Sequence, residues 1–121
     1  MKVLIVDDSG MIRMILTGLL KQLNITDIRE APNGKLALDA MENSPVNAVL
    51  MDLNMPEMDG LTCLAEMRKR PTLAALPVII ISSDTDPALF DKARALGVKD
   101  QIKKPFRLEG LKEALIKAGL L

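Results

Sequence analysis

Asp7-Asp8, Asp52, Ser82 and the pair Lys103-Lys104 are the polar residues whose types could work together chemically. Three carboxylates brought to one place repel each other, and their titrations become coupled. A divalent cation removes most of that cost. The chain has no histidine and a single cysteine, Cys63, so the available ligands are oxygens. Such a set favours Mg²⁺ over Zn²⁺. A carboxylate beside the metal can attack phosphorus and become an aspartyl phosphate. The metal and a lysine would neutralise the phosphoryl oxygens during transfer. A serine hydroxyl could donate a hydrogen bond to the new group. The added charge and acceptor atoms would pull nearby donors inward, which makes a switch.

This chemistry requires the chain to bring together residues nearly a hundred positions apart. The hydrophobic pattern provides the means. Val3-Leu4-Ile5-Val6, Ala48-Val49-Leu50-Met51 and Val78-Ile79-Ile80-Ile81 are short continuous apolar runs, as expected of strands covered on both faces. Ile25 to Glu30 and Asp100 to Lys103 read as two more strands, and the polar character of the former suits an edge. Between the strands the period becomes helical. Gly10 to Leu23 carries the stripe Ile12, Ile15, Leu16, Leu19 and Leu23, which is expected to face the core. Further helices are expected over Lys35 to Glu42, Leu61 to Arg70, Asp86 or Pro87 to Leu96, and Arg107 to Ala118.

A strand followed by a helix, five times over, predicts an α/β fold, a (βα)5 doubly wound parallel sheet. Edge positions for the second and fifth strands match the order 2-1-3-4-5 of flavodoxin-like folds. In such sheets the reactive crevice lies beyond the carboxyl ends of the strands. Asp7 and Asp8 follow the first strand, Asp52 the third, Ser82 the fourth and Lys104 the fifth. All of them therefore face one small volume.

Whole-chain properties narrow the classes. The chain has 121 residues, 49% of them hydrophobic, which suits one compact domain rather than disorder. Sixteen basic residues balance sixteen acidic ones, so direct nucleic-acid binding is not expected. No apolar run approaches the roughly 20 residues needed to cross a bilayer. A cytoplasmic protein with no membrane insertion is the expectation.

Four ordered stretches carry a resemblance: Val6-Asp7-Asp8-Ser9; Met51-Asp52-Leu53-Asn54-Met55-Pro56 with Asp59-Gly60; Pro77-Val78-Ile79 leading into Ser82; and Lys104-Pro105-Phe106. From near Val3 to near Leu115 the chain resembles the receiver domain of two-component response regulators, in particular stand-alone chemotaxis-type regulators. The resemblance implies a single receiver domain over residues 1–121. In that family the residue matching Asp52 accepts a phosphoryl group from a phosphohistidine on a sensor histidine kinase or phosphotransfer protein. The residues matching Asp7 and Asp8 hold Mg²⁺, with Asp52 and the backbone carbonyl of Asn54 as further ligands. Lys104 and Ser82 match the conserved lysine and hydroxyl residue. Asn54 and Asp84 occupy positions that tune the lifetime of the phosphoryl group. Such a domain catalyses its own phosphorylation and dephosphorylation and acts mainly as a switch on a downstream effector protein. A monomer is expected, with a phosphorylation-dependent dimer left open.

One position departs from the pattern. Relatives often carry an aromatic residue three before the lysine, and here it is Gln101. An amide cannot copy the rotation of a ring, so phosphate capture should survive while the output surface differs.

Plainer readings exist for each residue. Asp7-Asp8 could cap a helix, Asp52 could open an Asx turn, Ser82 could cap the next helix, and Lys103 and Lys104 could be solvated. Asp59-Gly60 reads as turn and cap, Cys63 as an inert helix residue. Met11, Met14, Met55 and Met58 read as adaptable packing near the site. Three further function classes compete with a free-standing regulator of chemotaxis or a phosphorelay: a receiver fragment of a larger regulator, a Mg²⁺-dependent phosphatase with an aspartyl nucleophile, and a binding module without phosphorylation.

Overall fold

A computed structural model describes residues 1–82, 87–98 and 100–121. Its elements alternate along the chain: β1 (Lys2–Val6), α1 (Gly10–Gln22), β2 (Asp27–Ala31), α2 (Gly34–Asn43), β3 (Ala48–Asp52), α3 (Gly60–Lys69), β4 (Val78–Ser82), α4 (Pro87–Ala95), β5 (Gln101–Lys103) and α5 (Leu108–Lys117). The sheet is parallel with order β2-β1-β3-β4-β5. This is the flavodoxin-like order, with the parallel sheet that the alternation predicts and the two edge strands that polarity suggests.

Each central strand divides its side chains between two cores, as a pleated strand must. Leu4, Val6, Val49, Met51, Val78 and Ile80 pack against α2, α3 and α4 through Leu38, Met41, Leu64, Met67 and Ala93. Val3, Ile5, Leu50, Ile79 and Ile81 pack against α1 and α5 through Leu16, Leu20, Leu111 and Leu115. Burying a large aliphatic side chain contributes about 1.5–3 kcal/mol. Two cores anchored on the same three strands therefore leave the strand tips little freedom.

Among the described residues, side chains cap three of the helices that follow strands. Ser9, Asn33 and Asp59 accept from the backbone N–H of Ile12, Leu36 and Thr62. The cap after the first strand is thus Ser9, which leaves the Asp7 and Asp8 carboxylates out of that role. Gly97 follows α4 at φ +92°, a left-handed conformation that glycine adopts without strain. Arg68 ties the amino end of β4 to its surroundings. It donates from Nε to the Leu96 carbonyl at 2.7 Å and from Nη1 to the Leu76 and Ala74 carbonyls at 2.8 and 3.1 Å.

Three expectations shift. β2 begins at Asp27 rather than Ile25, because Ile25 turns into the α1/α5 core and its N–H closes onto the Leu20 carbonyl at 3.0 Å. On α1 the buried residues are Leu16 and Leu20, whereas Ile15 is 41% exposed. Met11 and Met14, expected as packing, are 66% and 68% exposed. Met55 and Met58 do pack against the α2/α3/α4 core. Among the described residues, no helix is long and apolar enough to cross a membrane.

Candidate functional site

Asp7 directly follows β1, and Asp52 is the last residue of β3, the neighbouring strand. Asp8 follows Asp7 at the surface, whereas Asp7 and Asp52 are buried. One carboxylate oxygen from each of Asp7, Asp8 and Asp52 lies within 4.8 Å of the others. Backbone amides fix two of these groups. Ser9 N–H donates to Asp7 Oδ1 at 2.9 Å, and Asn54 N–H donates to Asp52 Oδ1 at 3.3 Å.

Lys104 supplies the charge opposite them. It lies one residue past β5, and its backbone N–H donates to the Ser82 carbonyl at 3.0 Å. Its Nζ stands 3.1 Å from Asp7 Oδ2 and 3.4 Å from Asp52 Oδ2. Burial alone would lower the Lys104 pKa. Close contact with Asp7 and the charges of Asp52 and Asp7 outweigh it, so the pKa is raised and the ammonium stays protonated. For Asp52 the balance differs. Burial raises its pKa and Asp7 adds to the rise, while Lys104 and the Asn54 N–H oppose them without cancelling the effect.

Of the five groups that sequence reasoning placed at the strand ends, Asp7, Asp8, Asp52 and Lys104 are therefore together. Ser82 ends β4 and is 2% exposed, with Lys103 as its register partner on β5. Lys103 itself is exposed, as its solvated reading requires. Asn54 is exposed at the start of the loop after β3. The expectation for Asp84 falls outside the described residues. Gln101 is half-buried opposite Ile80 on β4. Cys63 is buried, and burial pushes its thiol up to about 12, so it is not a nucleophile at neutral pH.

Sequence reasoning missed two supports of the site. Gly60 N–H donates to the Leu53 carbonyl at 3.0 Å, and a Cβ at this position would run into the Asp52 carbonyl oxygen. Only glycine lets α3 begin this close to the tip of β3. An Asp-Gly pair looks the same when it merely turns the chain. Arg13 is the second support. Its Nη1 donates to the Asp7 carbonyl and its Nε donates to Glu30 Oε1 at 3.0 Å. No spacing rule connects these residues, because the contact crosses from α1 to β2.

The donor set fits a hard cation. Among the described residues, no well-aligned donor reaches the buried Asp7 Oδ2, and the Lys104 ammonium 3.1 Å away is its ion-pair partner. A buried carboxylate oxygen left in that state has capacity for a metal bond. The exposed Asp8 beside it leaves the site open to water and to phosphate oxygens.

A family model described as the response regulator receiver domain matches residues 3–116. A protein named probable chemotaxis protein CheY from Rhizobium etli is 37% identical over 114 residues, covering 94% of this chain and 88% of that protein. Chemotaxis protein CheY-3 of Vibrio cholerae is 37% identical over 117 residues, covering 97% of this chain and 90% of that protein. The solved structure of Vibrio cholerae chemotaxis protein CheY4 superposes with a TM-score of 0.88 at 27% identity, covering 97% of each chain.

Proposed function

This chain belongs to the response regulator receiver domain family, and from that premise we propose that Asp52 is its phosphoacceptor and that Asp7, Asp8, Asp52 and the Asn54 carbonyl form its Mg²⁺ site. The observation that carries the reading is the convergence of three carboxylates and one ammonium at the carboxyl ends of β1, β3 and β5. A magnesium ion there would offset the carboxylate charge and draw the phosphoryl oxygens toward the site.

The chain's own groups account for the rest. A carboxylate oxygen of Asp52 attacks the phosphorus of a phosphohistidine on the donor protein. The P–N bond breaks, and its electron pair returns to the imidazole nitrogen. The product is an acyl phosphate on Asp52, and attack of water on phosphorus later restores the carboxylate. Lys104 already lies 3.4 Å from Asp52 and supplies positive charge to the phosphoryl oxygens. Ser82, at the end of the neighbouring strand, donates a hydrogen bond to the phosphoryl group and so reports its presence. Asn54 and Asp84 set how readily water attacks.

Donor and effector are proteins in this reading, a histidine kinase or phosphotransfer protein upstream and an effector downstream. The exposed Met11, Met14 and Ile15 lie at helical spacing on α1, the helix that starts just after Asp8. That stripe suits a helix of the donor, which would bring its histidine to the site. Chemotaxis is the pathway that the names of the relatives favour. Gln101 makes the output side of this chain read differently from relatives with an aromatic residue there.

Intact-mass measurement tests the assignment. Wild type treated with a small phosphodonor and Mg²⁺ should gain one acid-labile phosphoryl group, and Asp52→Ala should gain none. A persistent adduct in Asp52→Ala would remove Asp52 from the role.

A further inference from the structure

We propose that Arg13, clamped by Glu30, is a positioning residue for the metal ligands, a role that rests on the magnesium reading above. The peptide units around Asp7 are held on both sides. Asp7 N–H donates to the Ala31 carbonyl at 3.1 Å, and the Asp7 carbonyl accepts from Arg13 Nη1. The Asp7 carbonyl belongs to the peptide that leads into Asp8. Fixing that plane fixes the position of the Asp8 Cα and leaves only the φ rotation to aim its side chain. Asp7 has its own anchor in the Ser9 N–H. Asp8 is exposed, so its aim depends on the backbone beneath it.

Arg13 is itself held in place. Its side chain is 20% exposed, its Nε donates to Glu30 Oε1 at 3.0 Å, and its backbone N–H closes onto the Ser9 carbonyl at 3.1 Å. Glu30 and Ala31 are adjacent on β2, so one edge strand grips Asp7 directly and Arg13 through its carboxylate. A planar guanidinium can serve both partners at once, which a single ammonium does less well.

Charge and geometry predict opposite signs here. As a cation near the site, Arg13 would weaken Mg²⁺ binding, and its removal would strengthen it. As a positioning residue it strengthens binding, and its removal weakens it. Groups that orient metal ligands typically contribute about 10–100-fold in affinity. Amide NMR shifts during Mg²⁺ titration give the affinity without reference to phosphorylation. Arg13→Met should bind Mg²⁺ about tenfold more weakly than wild type. Arg13→Lys, which keeps the charge, should also bind more weakly, though by less. Unchanged or tighter binding in Arg13→Met would overturn the proposal. So would a lower metal-free melting temperature with no change in affinity, since that marks a purely structural strap. If Arg13→Met does not fold, wild-type affinity in Arg13→Lys overturns it equally. A wild-type protein that ignores millimolar Mg²⁺ would instead overturn the magnesium reading itself.

Discussion

The ammonium of Lys104 lies 3.1 Å from Asp7 Oδ2, closer than its 3.4 Å approach to Asp52 Oδ2. The lysine thus holds the place of a counter-ion between two buried acids before any phosphoryl group arrives. Two consequences follow for cation binding and for switching.

Lys104→Met should bind Mg²⁺ more tightly than wild type, by about tenfold, because a fixed positive charge no longer competes for the carboxylates. The same variant should lose most of the amide shift changes that phosphorylation produces. Lys103→Met should change neither, as Lys103 is exposed on β5. Equal effects of the two substitutions would contradict the assignment of Lys104.

Asp52 should make the metal-free protein less stable at neutral pH. Its folded pKa is raised by burial, with Asp7 adding to the rise. A raised carboxylate contributes stability that is fully present below the unfolded value of about 3.9 and is lost as pH rises through the folded value. Asp52→Asn removes that loss. In chelator at pH 7 it should melt a few degrees above wild type, and the gap should close as pH falls below about 4. Thermal unfolding across pH checks this, and a gap that widens in acid would contradict it.

Gly60→Ala should destabilise the protein by about 2–3 kcal/mol, since the new methyl meets the Asp52 carbonyl and the Leu53 backbone rather than a movable side chain. Displacing the tip of β3 should also slow phosphorylation by a small phosphodonor. Gly110→Ala, whose new methyl would meet no other described element within 4 Å, should be neutral or slightly stabilising. Urea unfolding compares the pair.

Met14→Lys should separate docking from chemistry. Met14 is 68% exposed, so its loss should leave stability nearly unchanged. Phosphorylation by a small phosphodonor should proceed as in wild type. Transfer from the cognate phosphohistidine protein should slow by about tenfold or more, because a charge replaces an apolar contact. Parallel loss with both donors would place the effect in the site and not on α1.

The strands were legible wherever their surroundings left no choice. Val3–Val6, Ala48–Met51 and Val78–Ile81 are covered on both faces, so almost every residue is apolar and the run itself marks the strand. α1 was harder. It carries Met11, Ile12, Met14, Ile15, Leu16, Leu19 and Leu20, apolar residues around much of its circumference. Periodicity alone could not tell that Leu16 and Leu20 face the sheet while Ile15 faces water. Ile25 misled for a related reason, as a buried loop residue looks like the start of a strand.

By itself the sequence determined the alternation of elements, and with it which residues stand at the carboxyl ends of strands. Asp7, Asp8, Asp52 and Lys104 were identifiable because chain order and a parallel sheet leave their strand tips on one side. Tertiary structure alone decided the contacts that join separate elements: Lys104 against Asp7, Arg13 between the Asp7 carbonyl and Glu30, and Gly60 against Asp52. Those depend on distances between elements packed side by side, and local periodicity carries no information about such distances.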